Sequence, residues 1–182
     1  MTAWVILDRD GVINYDSPDY IKSLAEWHPI PGSIEAIGRL CAAGFNVAIA
    51  TNQSGIGRGL YTLENMEAIH HRLGELVDQQ GGIIAGIFYC PHLPEDNCLC
   101  RKPKIGMLDE IEQQFAISLD KVPFVGDSKR DIDAANAKGC TPILVRTGNG
   151  IKTAQTLSAN PDYQSVAIYD DLASYVDELL GH

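Results

Sequence analysis

The feature that most constrains the fold of this chain is a regular alternation of short apolar runs with amphipathic helical patterns. Five runs are almost continuously apolar and are bounded by polar or turn-forming residues: 3–7, 45–50, 83–89, 122–125 and 142–145. Continuous apolar runs of this length are typical of strands that are buried on both faces of a parallel sheet. The chain is therefore expected to contain at least five such strands.

Helical patterns fill the intervals between these runs. Apolar residues recur at spacings of three and four in five segments: 34–41, 66–77, 107–115, 132–136 and 172–179. A strand–helix alternation of this kind predicts one doubly wound, Rossmann-like α/β domain over residues 1–182, with a parallel sheet of five or more strands and helices on both faces. No segment is long enough to form a large cap domain.

The net charge of the chain limits the kinds of partner that we expect it to bind. Its 182 residues hold 14 Lys and Arg against 24 Asp and Glu, a net charge of −10. An acidic surface repels nucleic-acid phosphates and anionic membranes, so we expect neither as a partner. No apolar run is long enough for a membrane helix, and the first residues lack the basic region of a signal peptide. We expect a cytoplasmic protein and, since no unexplained apolar stripe is present, a monomer.

Two carboxylates follow the first apolar run, at Asp8 and Asp10. Ligands of doubly wound sheets bind at the carboxyl ends of the strands, where this pair is expected to lie. One carboxylate can attack a phosphorus centre while the other transfers a proton. Two like charges this close together require a cation, so Mg²⁺ is expected.

Polar residues suited to phosphate follow the second run and the cysteine-rich segment. Hydroxyls, amides and exposed backbone N–H groups bind phosphate oxygens, and the second run ends in such residues: Thr51, Asn52, Gln53 and Ser54. Arg101 and Lys102 begin the densest basic segment of an acidic chain and can neutralise a phosphate.

A further acid, Asp127, follows the fourth run, and Asp131 lies one helical turn later. An acid at a strand end is a natural metal ligand, and the spacing of four lets both carboxylates face the same side. Each motif alone also fits an acidic turn or a solvated loop. Acids, hydroxyls and a lysine at one edge of one sheet together favour phosphoryl transfer.

Three of the five cysteines lie within eleven residues, in a loop that also holds a histidine. In a reducing compartment such clustering favours a metal over disulfides. Three thiolates and one imidazole satisfy a tetrahedral zinc ion without leaving an open position, which indicates a structural site: Cys90, His92, Cys98 and Cys100. Such a zinc ion would fix the loop that carries Arg101 and Lys102.

The order and spacing of these motifs resemble the haloacid dehalogenase-like phosphatase superfamily. The resemblance runs from Leu7 to about Asp131 and rests on five short motifs or single residues: Asp8-x-Asp10-Gly11, Thr51, Lys102, Gly126-Asp127 and Asp131. It implies that Asp8 is the nucleophile and that Asp10 is the general acid and then the base. It also implies that Thr51 and Lys102 stabilise the transferring phosphoryl group.

The same resemblance implies a Mg²⁺ ion that is held by Asp8, by the main-chain carbonyl of Asp10 and by Asp127, with Asp131 behind them. The Cys-x-His…Cys-x-Cys pattern and the Cys100-Arg101-Lys102-Pro103 segment are similar to one branch of the superfamily. That branch holds the heptose bisphosphate phosphatases of lipopolysaccharide precursor synthesis and the histidinol-phosphate phosphatases.

Membership of this branch implies a small phosphorylated metabolite, and a phosphorylated sugar is the preferred expectation. It implies that Arg101 helps to recognise the substrate, and that residues 16–19 form a substrate loop with Asp16 and Asp19 as contacts. Histidinol phosphate stays open as the alternative substrate.

A phospho-accepting receiver module is an alternative from another class, because it also combines an acid pair, a threonine and a lysine on an α/β sheet. A receiver accepts phosphate after its third strand, whereas here the third run leads into Cys90. Processing of polynucleotide ends is a second alternative, which the net charge of −10 disfavours.

Overall fold

The structure is a computed structural model that describes residues 3–181. Six strands form one sheet: β1 (Ala3–Leu7), β2 (Phe45–Asn52), β3 (Ile84–Cys90), β4 (Pro123–Gly126), β5 (Thr141–Val145) and β6 (Ala167–Tyr169). Seven helices lie between the strands or follow the last one: α1 (Ser33–Ala42), α2 (Ser54–Gly57), α3 (Leu63–Gln79), α4 (Gly106–Phe115), α5 (Lys129–Lys138), α6 (Gly150–Ser158) and α7 (Leu172–Leu180).

The strand order β3-β2-β1-β4-β5-β6 fixes where a ligand can bind. Every neighbouring pair of strands is parallel. The chain winds outward from β1 to one edge and then returns to build the other half from β4. The crevice outside the carboxyl ends of β1 and β4 is therefore the topological switch point, where ligands of such sheets bind.

The two faces of the sheet are covered by separate layers of helices, as the alternation of side chains along β1 shows. Val5 and Leu7 belong to a cluster that includes buried residues of α1, α3 and α7. Trp4 and Ile6 point to the opposite face and pack with buried residues of α4 and α5. Because successive side chains of a strand point to opposite faces, a continuous apolar run is what a sheet covered on both sides requires.

The predicted doubly wound fold is confirmed, and all five predicted strands and five predicted helices are present with ends shifted by one to a few residues. The sequence patterns did not predict the short helix α2 or the pair α6 and β6. The strand β6 has only three residues at the sheet edge, and none of them is fully buried.

The segment between the first motif and α1 holds a single 3₁₀ turn, Leu24–Glu26, and no inserted cap domain within the described residues. Within residues 3–181, no helix combines the length and the apolar character that are needed to cross a bilayer.

Candidate active site

A cavity of about 220 Å³ opens at the carboxyl ends of β1, β2 and β4, at the switch point of the sheet. It brings together most of the residues that the sequence singled out, and its lining includes Asp8, Asp10, Thr51, Asn52, Gln53, Ser54, Arg101, Lys102, Asp127 and Asp131. Motifs that are up to 123 positions apart therefore meet at one point, as the strand-end argument predicts.

The buried ammonium of Lys102 forms the centre of the site. Only 2% of this residue is exposed, and its Nζ lies 3.0 Å from Asp8 Oδ1 and 2.6 Å from Asp131 Oδ1. The same Nζ donates to the carbonyl oxygen of Ala50 at 2.7 Å. Burial opposes the charge, but Asp131 and Asp8 outweigh it and raise the pKa of Lys102. The ammonium therefore stays charged beside Asp8.

Asp127 is fixed by the loop that follows β5. Its Oδ2 accepts hydrogen bonds from Asn149 N at 2.7 Å and from Asn149 Nδ2 at 3.1 Å. Gly11 and Gly148 have φ angles of +82° and +57°, and a Cβ at either position would overlap the Asp127 carboxylate. Glycine at both positions satisfies the left-handed backbone and the close approach of the acid.

Three carboxylates lie close enough to share one cation. One oxygen each of Asp8, Asp127 and Asp131 lies within 4.8 Å of the others. Burial, followed by the charge of Asp131, raises the pKa of Asp127 to about 7. Burial also raises the pKa of Asp8 well above its usual range, although Lys102 opposes this. Acids that are costly to ionise without a counter-charge are suited to a hard divalent cation such as Mg²⁺.

Within this cluster Asp131 has a different environment from the other two acids. Its Oδ1 faces Lys102, and its Oδ2 accepts from Ser128 N at 3.0 Å and from Ser128 Oγ at 2.6 Å. Both oxygens are therefore engaged, which suits a position behind the metal ligands.

Asp10 has an environment opposite to that of Asp8. Its Oδ1 accepts from Arg9 Nε and Asn14 Nδ2, each at 2.9 Å, and its Oδ2 accepts from Arg9 Nη2 at 3.1 Å and Gln53 Nε2 at 2.9 Å. Burial opposes its charge, yet Arg9 and these hydrogen bonds hold the pKa of Asp10 below its usual range. The pKa values of Asp8 and Asp10, which are two residues apart, are thus shifted in opposite directions.

The polar residues at the carboxyl end of β2 and just after it divide into two groups. The Oγ1 of Thr51 accepts from Gln53 Nε2 at 2.8 Å, and both Thr51 and Ser54 line the cavity. The side chain of Asn52 pairs with the backbone of Lys102, through bonds of 3.0 and 3.2 Å. Asn52 therefore anchors the lysine loop to the strand, in addition to lining the cavity.

The mouth of the cavity is basic in spite of the acidic chain. Arg58, Arg101 and Arg130 line it. Within the described residues none of these three forms an ion pair, whereas the other arginines do: Arg9, Arg39, Arg72 and Arg146. Burial, followed by the charge of Arg130, lowers the pKa of Arg101. Like charges without partners indicate a site for an anion.

The two acids of the expected substrate loop separate in the structure. Asp16 lines the cavity, and its Oδ2 accepts from Asn149 Nδ2 at 2.9 Å. Asp19 is exposed and does not line the cavity, so its expected contact with a ligand stays a prediction that this geometry does not support. The loop turns at Ser17, whose Oγ accepts from Asp19 N, and this turn carries Asp19 outward.

The Cys/His cluster is assembled as the spacing predicts. Its four ligand atoms lie within 4.8 Å of one another, and the bonded pairs are separated by 3.0 to 3.6 Å. Four ligands at about 2.3 Å around a tetrahedral zinc ion would be roughly 3.8 Å apart. The cluster fits zinc: Cys90, His92, Cys98 and Cys100.

The sequence patterns did not identify several residues of the site, among them Arg9, Asn14, Tyr61 and Asn149. Asn149 follows the fifth strand, so the strand-end argument could have found it. The other three carry no local signal, because their importance arises from contacts with Asp10 and Gln53 that the fold creates.

We predict that Asp127→Asn raises the melting temperature of the metal-free protein at pH 8. The pKa of Asp127 is raised to about 7, so ionisation costs the folded state stability, and this cost grows as the pH rises from about 4 to 7. The expected gain in the free energy of unfolding is a few kcal/mol at most, because each pKa unit corresponds to about 1.4 kcal/mol. Mg²⁺ should stabilise the wild type and not the variant. The exposed Asp19→Asn is the control, and a destabilised D127N without metal would contradict the prediction.

We predict one zinc ion per chain and its loss in Cys98→Ser. Removal of one thiolate opens the coordination shell, so the variant should bind zinc weakly and melt several degrees lower. Metal analysis and thermal melting measure the two effects. Cys41→Ser is the matched control, since Cys41 is half-buried and lies outside the cluster. Equal zinc content in both variants would refute the assignment.

Comparison with known proteins agrees with this geometry. The sequence profile of the HAD-hydrolase-like family matches residues 99–175. The D-glycero-β-D-manno-heptose-1,7-bisphosphate 7-phosphatase of Pseudomonas aeruginosa is 55% identical over 176 residues, which are 97% of this chain and 97% of the relative. The enzyme of the same name from Bordetella bronchiseptica is 46% identical, over 97% of each chain.

Solved structures give the same result. The crystal structure of the D,D-heptose 1,7-bisphosphate phosphatase from B. bronchiseptica, complexed with magnesium and phosphate, is similar with a TM-score of 0.92 and 45% identity over 98% of each chain. The corresponding phosphatase from Burkholderia thailandensis has a TM-score of 0.74 and 39% identity over 99% of each chain. The chain belongs to the heptose-1,7-bisphosphate 7-phosphatase family of haloacid dehalogenase-like hydrolases.

Proposed function

We propose that this chain is a Mg²⁺-dependent phosphatase that removes the 7-phosphate of D-glycero-D-manno-heptose 1,7-bisphosphate through an aspartyl-phosphate on Asp8. The observation that carries the proposal is the contact of buried Lys102 with Asp8 at the switch point, with Asp127 alongside. The relatives that are 55% and 46% identical act on this substrate by name, and this supports the choice of substrate.

In the first step, a carboxylate oxygen of Asp8 attacks the phosphorus of the 7-phosphate, and the bond from phosphorus to the sugar oxygen breaks. Asp10, which is ionised in the free site, takes up a proton when the phosphate dianion binds beside it, and it gives this proton to the departing oxygen, which leaves as the sugar hydroxyl. Lys102 and Thr51 stabilise the charge on the phosphoryl oxygens during transfer. Lys102 suits this role because it is already charged and fixed before the substrate binds.

In the second step, the carboxylate of Asp10 accepts a proton from water as the water oxygen attacks phosphorus. The bond between phosphorus and Asp8 breaks, which releases phosphate and restores both acids. Asp8, Asp127 and the main-chain carbonyl of Asp10 hold Mg²⁺, and Asp131 supports them through Lys102. When bound, the ion supplies neutralisation of the carboxylates and of the incoming phosphate dianion.

The arginines at the cavity mouth provide a site for the second phosphate of a bisphosphate. Arg58, Arg101 and Arg130 stand free of ion pairs at the mouth, while Lys102 occupies the base of the cavity. Guanidinium groups bind phosphate oxygens in pairs, so a second anion at the mouth would satisfy them. Asp16 faces the same cavity and is suited to accept a hydrogen bond from a sugar hydroxyl.

The zinc cluster has a structural part in this proposal. Cys100 precedes Arg101 directly, and Arg101 Nη1 lies 3.5 Å from the carbonyl oxygen of His92. A zinc ion at the cluster fixes the loop that delivers both Arg101 and Lys102 to the cavity. We further propose that residues 1–182 act as one domain and as a monomer in the cytoplasm, in heptose precursor synthesis for lipopolysaccharide.

We predict that Asp8→Asn abolishes turnover and that Asp10→Asn slows it by about 10²- to 10⁴-fold, the usual contribution of general acid–base catalysis. Phosphate release under saturating Mg²⁺ measures both variants. Asp19→Asn should match the wild type, because Asp19 is exposed and lies outside the cavity. Activity that persists in D8N would exclude a covalent intermediate on Asp8.

The substrate is tested by comparing kcat/KM for both anomers of heptose 1,7-bisphosphate with that for histidinol phosphate. We expect a strong preference for one heptose anomer. Arg130→Ala should raise the KM for heptose 1,7-bisphosphate several-fold. The KM for histidinol phosphate should not change, since only the bisphosphate carries a second phosphate group. A preference for histidinol phosphate would contradict the proposed substrate and leave the catalytic residues as assigned.

A further inference from the structure

We propose that Arg9 and His70 are positioning residues that hold the carboxyl group of Asp10 in the orientation for proton transfer to the leaving group. The inference rests on the proposed function, in which Asp10 is the general acid. Neither residue lines the cavity, so neither touches the substrate. They form a chain of contacts that runs from the helix α3 to the reacting acid.

Arg9 is the link that touches Asp10. It is only 1% exposed, and its guanidinium meets Asp10 with two nitrogens, Nε at 2.9 Å and Nη2 at 3.1 Å. The same Nη2 donates to Gln53 Oε1 at 3.0 Å. Gln53 in turn donates to Asp10 Oδ2 and is held at its own oxygen by Tyr61, at 2.6 Å. This network fixes both the position and the tilt of the Asp10 carboxylate.

His70 secures the third nitrogen of the guanidinium. Its Nε2 lies 3.1 Å from Arg9 Nη1. Arginine has only donors, so Nε2 must be the acceptor and the imidazole must be neutral, with its proton on Nδ1. Burial, followed by the charge of Arg9, lowers the pKa of His70 to about 3, in agreement with this assignment. His70 therefore stays an acceptor at working pH.

The helix α3 makes His70 a rigid support. It begins with a capping box at Thr62, and it packs against the core through Met66, Ile69 and Leu73. His70 follows Ile69 on the edge of this buried face. A buried donor that loses its acceptor is costly, so without His70 the guanidinium would turn to find another partner. Asp10 would then lose its alignment, although it would still be present.

Misalignment of the general acid slows a substrate to the extent that its leaving group needs a proton. A sugar alkoxide is a poor leaving group and requires the proton of Asp10. The p-nitrophenolate ion is a stabilised anion and leaves without one. The quantity kcat/KM covers the steps up to leaving-group departure, so it reports proton delivery separately from the later hydrolysis of the aspartyl-phosphate.

The test compares His70→Phe, His70→Gln and Arg9→Lys with the wild type, on heptose 1,7-bisphosphate and on p-nitrophenyl phosphate. Phenylalanine removes the acceptor and glutamine keeps one. Lysine carries all its donors on one nitrogen, so it cannot span the separate partners that the three guanidinium nitrogens reach. We expect H70F and R9K to lower kcat/KM for the bisphosphate by about 10- to 100-fold through kcat, with KM unchanged. For p-nitrophenyl phosphate the loss should stay under roughly threefold. H70Q should recover most of the activity.

His71→Gln is the matched control, because His71 is the neighbour of His70 on the same helix and its side chain is 77% exposed. Equal losses on both substrates would indicate a general structural effect and overturn the proposal, as would an H70F enzyme with unchanged kcat/KM. Should H70F fail to fold, R9K and H70Q give the same comparison. Failure of the proposed function is distinguishable, since the wild type would then release no phosphate from the bisphosphate.

Discussion

The buried ion pair of Lys102 with Asp8 is the interaction on which the rest of the site depends. A buried ammonium is tolerated only where partners surround it, and here two carboxylates and the carbonyl oxygen of Ala50 do so. These partners come from β1, β2 and α5, so the lysine joins both halves of the sheet at the switch point. The same contacts therefore connect the two halves of the sheet and hold a positive charge beside Asp8.

The environments of Asp8 and Asp10 explain how two acids in one turn can perform different tasks. Asp8 is buried among other acids, and its ionisation is costly until a cation and Lys102 balance the charge. Asp10 receives four hydrogen bonds, two of which come from Arg9. In the free site these surroundings favour an ionised Asp10 and make the charge of Asp8 costly, so bound Mg²⁺ and phosphate are needed to give the two acids their nucleophile and acid–base roles.

The charge at the mouth of the cavity is opposite in sign to the net charge of the chain. The protein is acidic overall, with a net charge of −10, but the cavity mouth holds three arginines that form no ion pair in the described residues. The loop that carries Arg101 is held by the Cys/His cluster and by Asn52. A metal ion can therefore replace a hydrophobic core where a loop must stay polar and still be rigid.

The sequence by itself determined the fold class, the strand ends that carry Asp8, Thr51 and Asp127, and the Cys/His cluster. These follow from local patterns, because strand burial, turn residues and ligand spacing are written within short stretches of chain. Only the tertiary structure decided that Arg9 is buried against His70, and that Asp19 turns away from the cavity. Such contacts depend on side-chain direction across elements that are far apart in sequence, which no local pattern encodes.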